Sequence, residues 1–196
     1  MKKKKNLEPL KISCDNVDCP NNLHCFRKSK KLSKYPQGQC QGCGAQLVDW
    51  PRVQKQSLSD VSNTFKSLKF EWIRHYYWEL KLPQRVLNHA RRKGRAAFDE
   101  CVEKRIRQSV SLPKMANPFD GRQTPFDGKG QTIITCAQHA VACCCRSCIE
   151  YWHGIPTDVP LSDEHVQYFK TLALMYIDER LPNLESEPQH VPPIRA

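Results

Sequence analysis

The sequence predicts a mainly helical protein with a small N-terminal β zinc ribbon, α+β overall, on three observations. Apolar and aromatic residues recur at steps of three and four through much of the chain after residue 60. Before residue 50, two short cysteine pairs, Cys14/Cys19 and Cys40/Cys43, lie among Pro20, Gly38, Gly42 and Gly44. The chain has eleven cysteines, and no apolar run follows its lysine-rich start. That combination is expected of an intracellular protein whose thiols bind metal or do chemistry, not of a disulfide framework.

Four segments follow in order: a basic arm over 1–11, the zinc ribbon over 12–53, a helical domain with a second Cys/His cluster over 60–181, and a Pro-rich tail over 182–196 that need not be ordered. In the helical domain, Phe65, Leu68, Trp72, Ile73 and Tyr76 share one helical period between Val61 and Leu80. A second helical stretch runs from Gln84 to Val110, with Gly94 as a kink or break. Residues 117–130 are dense in turn formers and read as a loop. The apolar run Thr132 to Cys136 suits a strand or a helix entry. The last helix is the clearest: Ser162 caps it, Asp163 and Glu164 meet its positive end, and Val166, Phe169, Ala173, Tyr176 and Ile177 make its apolar face.

Zinc takes four tetrahedral ligands, and two cysteine pairs on separate turns supply them as Cys14, Cys19, Cys40 and Cys43. Spacing constrains the choice loosely, so His24 or Cys25 is an alternative to Cys14 or Cys19. A module this small lacks the core to fold unaided, and metal binding supplies most of its folding free energy. The second cluster holds two histidines and four cysteines between 139 and 153. His139, Cys145, Cys148 and His153 make a closed set for a second zinc ion. A catalytic reading of the same stretch uses Cys144 as a thiol activated by Arg146, and Glu150 as acid or base. An unmetallated core and an iron-sulfur cluster are further readings.

The order Gln123-Thr124-Pro125, Ala137-Gln138-His139-Ala140, Cys144-Cys145-Arg146-x-Cys148 and Trp152-His153-Gly154-Ile155-Pro156, followed by a closing helix, resembles the bacterial domain-of-unknown-function family 4186 over about residues 85–181. The resemblance implies a domain that includes His139, Cys144, Cys145, Cys148 and His153, and it implies no activity. Cys143 lies outside its pattern.

The net charge of +11 divides into +7 over residues 1–60, +8 over 61–115 and −4 over 116–196. A polyanion partner therefore meets the first 115 residues. Arg27, Lys28, Lys30 and Lys31 in the loop between the cysteine pairs, and Arg91, Arg92, Lys93 and Arg95, are the expected contacts to nucleic acid. There is no Gly-rich phosphate loop, no H-E-x-x-H and no zinc-deaminase pattern. The expectation is a cytoplasmic protein with two zinc ions that binds nucleic acid or a nucleic-acid-processing partner and spans no membrane. The alternatives are a metal- or thiol-dependent enzyme centred on the second cluster, and a zinc-stabilised protein-interaction subunit.

Overall fold

The structure, a computed structural model, describes residues 12–122 and 130–192. Eight α-helices occur among them: α1 (Trp50–Val53), α2 (Val61–Leu68), α3 (Trp72–Glu79), α4 (Gln84–Lys93), α5 (Phe98–Val110), α6 (Ile133–Ala140), α7 (Arg146–His153) and α8 (Asp163–Arg180). The expected β ribbon is absent: the described residues contain no strand, only the isolated bridges Asp18 with Leu23 and His24 with Glu71. The physical reason lies in the stretch between the cysteine pairs. Residues 27–39 run through bends and turns, with Leu32 and Tyr35 isolated among lysines and other polar residues, so no alternating face exists to bury against a partner strand.

Two helical stretches are each divided. Between α2 and α3, Glu71 adopts an extended conformation. There the backbone leaves the helix to pair with the N-terminal segment: His24 N–H donates to the Phe70 carbonyl and Trp72 N–H to the His24 carbonyl, both at 2.8 Å. Between α4 and α5, Gly94 takes a φ of +73°, and a Cβ there would lie 2.5 Å from the Ser186 carbonyl oxygen. Only glycine admits that approach. It lets residues 185–189 bind back onto the turn, with Arg95 and Ala96 N–H donating to the carbonyls of Glu185 and Ser186. The tail is thus docked as far as residue 192, while the 1–11 arm and the Gln123-Thr124-Pro125 motif lie outside the described residues.

Helix α6 forms the centre. A reciprocal Thr132/Thr135 capping box starts it, and all eight of its residues are buried. It packs between α3 and α8, and α8 also covers α5. The N-terminal segment joins this core through Phe26, which is fully buried and meets Trp50 and Trp152 edge-on at centroid distances of 5.7 and 6.1 Å. Burying a phenylalanine stabilises by roughly 1.5–3 kcal/mol, so the segment is held by packing as well as by backbone pairing. No described helix is long and apolar enough to cross a membrane.

Candidate metal centres

The first group of metal-ligating side chains is Cys19, His24, Cys40 and Cys43, whose ligand atoms all lie within 4.8 Å of one another. A tetrahedral ion with zinc-sulfur bonds of about 2.3 Å separates its sulfurs by about 3.8 Å. Cys19 Sγ and Cys40 Sγ are 3.7 Å apart, and Cys43 Sγ is 3.5 Å from His24 Nδ1. Local backbone builds this geometry. Gly44 N–H closes a turn on the Cys40 carbonyl at 2.8 Å, and Gly42 N–H approaches Cys40 Sγ at 3.4 Å. A Cβ on Gly42 would stand 3.0 Å from Cys19 Sγ, so a side chain there would crowd the sulfurs.

Burial pushes the Cys40 thiol up, but hydrogen bonds from the backbone at Cys25, Cys43 and Gly42 and from the His24 side chain outweigh it and hold the group at about 6. The Asn22 side-chain oxygen lies 3.1 Å from His24 Nε2. An amide oxygen only accepts, so Nε2 carries the proton and Nδ1 turns its lone pair to the sulfurs.

Cys14, expected in that set, lies elsewhere: its thiol stands beside Cys148, which pushes it up. Cys144, Cys145 and Cys148 form the second group, again with their sulfurs within 4.8 Å of one another. The turn that presents them is tight. Ala142 sits at a φ of +55°, and Cys145 N-caps α7, so Cys144 precedes the helix and Cys148 falls in its first turn.

Two residues that the sequence did not single out govern this group. Arg74 and Glu71 are each 1% exposed and paired at 2.9 Å. The Arg74 guanidinium also donates to the His139 carbonyl at 2.6 Å, Cys144 Sγ at 3.8 Å and Cys148 Sγ at 3.3 Å. Glu71 accepts from Trp152 Nε1 at 2.6 Å and Tyr151 O–H at 3.1 Å, while burial pushes its carboxyl up. The charge pair stands at the start of α3, three residues apart on a helix whose other buried positions are apolar or aromatic. That interruption was the available sequence signal. Hydrogen bonds from Cys14, Cys144 and Cys145 hold the Cys148 thiol well below its ordinary value, with burial opposing and Arg74 assisting. The same contacts push Cys14 and Cys144 up.

The remaining predicted site residues are placed as follows. His139 is buried, stacked on Tyr77 at 4.6 Å between centroids, and stands outside the cysteine group. His153 Nε2 is 3.1 Å from the Val141 carbonyl and Nδ1 is 3.2 Å from the Tyr168 hydroxyl. A carbonyl only accepts, so both ring nitrogens are engaged with protein groups, and burial lowers the histidine to about 3. Arg146 gives its guanidinium to the carbonyls of Val110, Pro156 and Val159, so Arg74, not Arg146, is the cation at the thiols. Glu150 is exposed and accepts from Thr157 N–H.

Of the expected nucleic-acid contacts, Lys28, Lys30 and Lys31 are exposed. Arg27 is half-buried, with its guanidinium in the field of Cys148, Cys14 and Cys145. In α4 and beyond it, Arg95 pairs with Asp178, Arg92 donates to the carbonyls of Val191 and Pro192, and Arg91 lines a groove with Arg180 and residues 181–184. Lys93 lines a cavity of about 320 Å³ together with His89, Lys104 and Arg105.

The helical body and the cysteine-rich segment docked on it thus present two groups of side chains, one of cysteines with a histidine and one of cysteines, each spaced so that it could hold a metal ion. The chain belongs to the family described as Domain of unknown function (DUF4186), which it matches over residues 62–178, more than half its length. The match begins well before residue 85 and so takes in α3 with Glu71 and Arg74. No solved structure matches the chain.

Proposed function

We propose that this is a zinc protein that binds nucleic acid through its phosphates. Zinc is held at Cys19, His24, Cys40 and Cys43, where three sulfurs and one imidazole make a closed set with no position left for substrate. The ion ties the N-terminal segment to itself around His24, whose backbone pairs with the helical body. The observation that carries the binding reading is the α4–α5 cavity. His89, Lys93, Lys104 and Arg105 line it with Gln108, Thr132 and Thr135, and its described lining contains no carboxylate. Basic groups on two helices, with neutral hydrogen-bonding side chains beside them, suit a phosphate backbone. The exposed lysines at 28, 30 and 31 add positive charge on the N-terminal segment.

The test is a titration of single-stranded and duplex DNA and RNA at several salt concentrations. Binding that weakens with added salt, and a slope of log affinity against log salt that flattens by roughly 0.7–0.9 per lost phosphate contact in Lys93→Glu and Lys104→Glu, is the expected result. Arg95→Gln, which removes an internal ion pair, should leave the slope unchanged. Absence of binding at low salt, or binding indifferent to both lysines, would sink the reading.

A further inference from the structure

We propose that a second zinc ion is held by Cys14, Cys144, Cys145 and Cys148, with Arg74 as its buried counter-charge. This deepens the zinc reading above and rests on it only for the choice of metal.

The argument starts from Arg74. A guanidinium 1% exposed is stable only where its donors meet strong acceptors. Glu71 takes Nε and the His139 carbonyl takes Nη1, but the Nη2 contact is the sulfur of Cys148, and Nη1 also faces Cys144. A neutral thiol is a weak acceptor, whereas a metal-bound thiolate is a strong one. Arg74 is therefore built to meet thiolates. Thiolates crowded within 4.8 Å repel one another unless a cation lies among them.

Three sulfurs at that spacing outline one face of a tetrahedron around a single ion. Cys14, whose thiol stands beside Cys148 but outside that 4.8 Å group, closes on the ion as the fourth vertex. Cys14 is positioned for it by its own backbone, whose carbonyl accepts from the buried Cys25 thiol at 3.4 Å. The half-buried Arg27 adds a second cation beside the same sulfurs. The two guanidiniums offset in part the double negative charge of one divalent ion with four thiolates, Arg74 being shared with the Glu71 carboxylate. A polynuclear iron-sulfur cluster spreads its ligating sulfurs farther apart than one ion does, so the compact spacing selects a mononuclear site. Ion binding releases up to four thiol protons, and the oxidation states of metal and sulfur do not change.

Metal content of the full chain, purified with zinc and dialysed free of excess, tests the assignment. Wild type should hold two zinc ions, Cys148→Ser one, Cys40→Ser one and Cys25→Ser two. Cys14→Ser should hold the second ion at least tenfold more weakly in a chelator competition. Cobalt(II) loaded into Cys40→Ser reads the surviving site without reliance on stoichiometry, and should give the spectrum of a four-thiolate tetrahedral centre. A three-sulfur spectrum, unchanged affinity in Cys14→Ser, or iron in place of zinc would each overturn the proposal. A single wild-type ion lost in Cys40→Ser but kept in Cys148→Ser would overturn it and leave the first centre standing. The reverse pattern would overturn the first centre and leave this one.

Discussion

The two cysteine groups solve the same problem from opposite directions. In the first, the knuckle from Cys40 to Gly44 arranges sulfurs by turns and backbone donors, and all four ligand residues fall between 19 and 43. Cys43 is exposed, so solvent screens the charge. In the second, Cys144 and Cys148 are buried, Cys145 is partly covered, and a thiol from a distant part of the chain meets them. There the helical body must supply a counter-charge, Arg74, and must in turn satisfy that charge with Glu71. A site at the surface needs only local geometry, while a site in the interior requires its own electrostatic surroundings.

The largest effect should come from removing metal altogether. Structural zinc contributes on the order of 10 kcal/mol to small zinc modules. Exhaustive chelation of the full chain should therefore abolish amide-exchange protection over residues 19–45. The α5 and α8 amides should stay protected, because that packing involves no ligand residue. Uniform loss across the chain would erase the contrast between a metal-held segment and a self-sufficient body.

Next in size is Arg74→Met. It leaves the Glu71 carboxyl buried without its partner, which costs about 3–5 kcal/mol, and denaturant unfolding should show that loss. The paired change Glu71→Gln with Arg74→Met should recover part of it, since the uncompensated carboxylate is then gone. No recovery would mean that Arg74 acts chiefly through the sulfurs. At the first centre, Asn22→Gly keeps the left-handed backbone of this position (φ 59°) and removes the oxygen that orients His24. Zinc affinity should fall about 10–100-fold by competition, with the second group untouched.

The smallest effect is in acid. His153 is lowered to about 3 by burial, so the unfolded chain takes up its proton near the ordinary value of 6.5 and the folded chain does not. Stability from this group is complete above 6.5 and declines as pH falls toward 3, by at most about 1.4 kcal/mol per pH unit. Unfolding free energies measured between pH 7 and 5 should drop less steeply in His153→Gln than in wild type. Equal slopes would mean that the histidine titrates alike in the folded and unfolded chain.

How much of this was legible follows the same division. Helix α8 and its Ser162 cap were readable because caps and periodicity are local. The Cys40–Cys43 turn was readable for the same reason. His24 in place of Cys14 was legible only as an alternative, because ligand choice depends on which side chain the docked loop presents, and spacing admits both. Glu71 was read as part of one continuous helix because its partners Trp152, Tyr151 and His24 lie in other segments. The expectation of a strand ribbon came from transferring a common zinc scaffold to a loop whose backbone finds its pairing on the helical body instead.

His24 stands in both halves of the molecule. Its ring faces the outer sulfurs, its peptide group bridges to Glu71, and the Glu71 carboxylate grips the arginine beside the inner ones. A ring, a backbone pairing and an ion pair thus stand between the two groups of sulfurs. A disturbance of the outer knuckle reaches the inner arginine only through that one peptide contact, so the two groups can be lost one at a time.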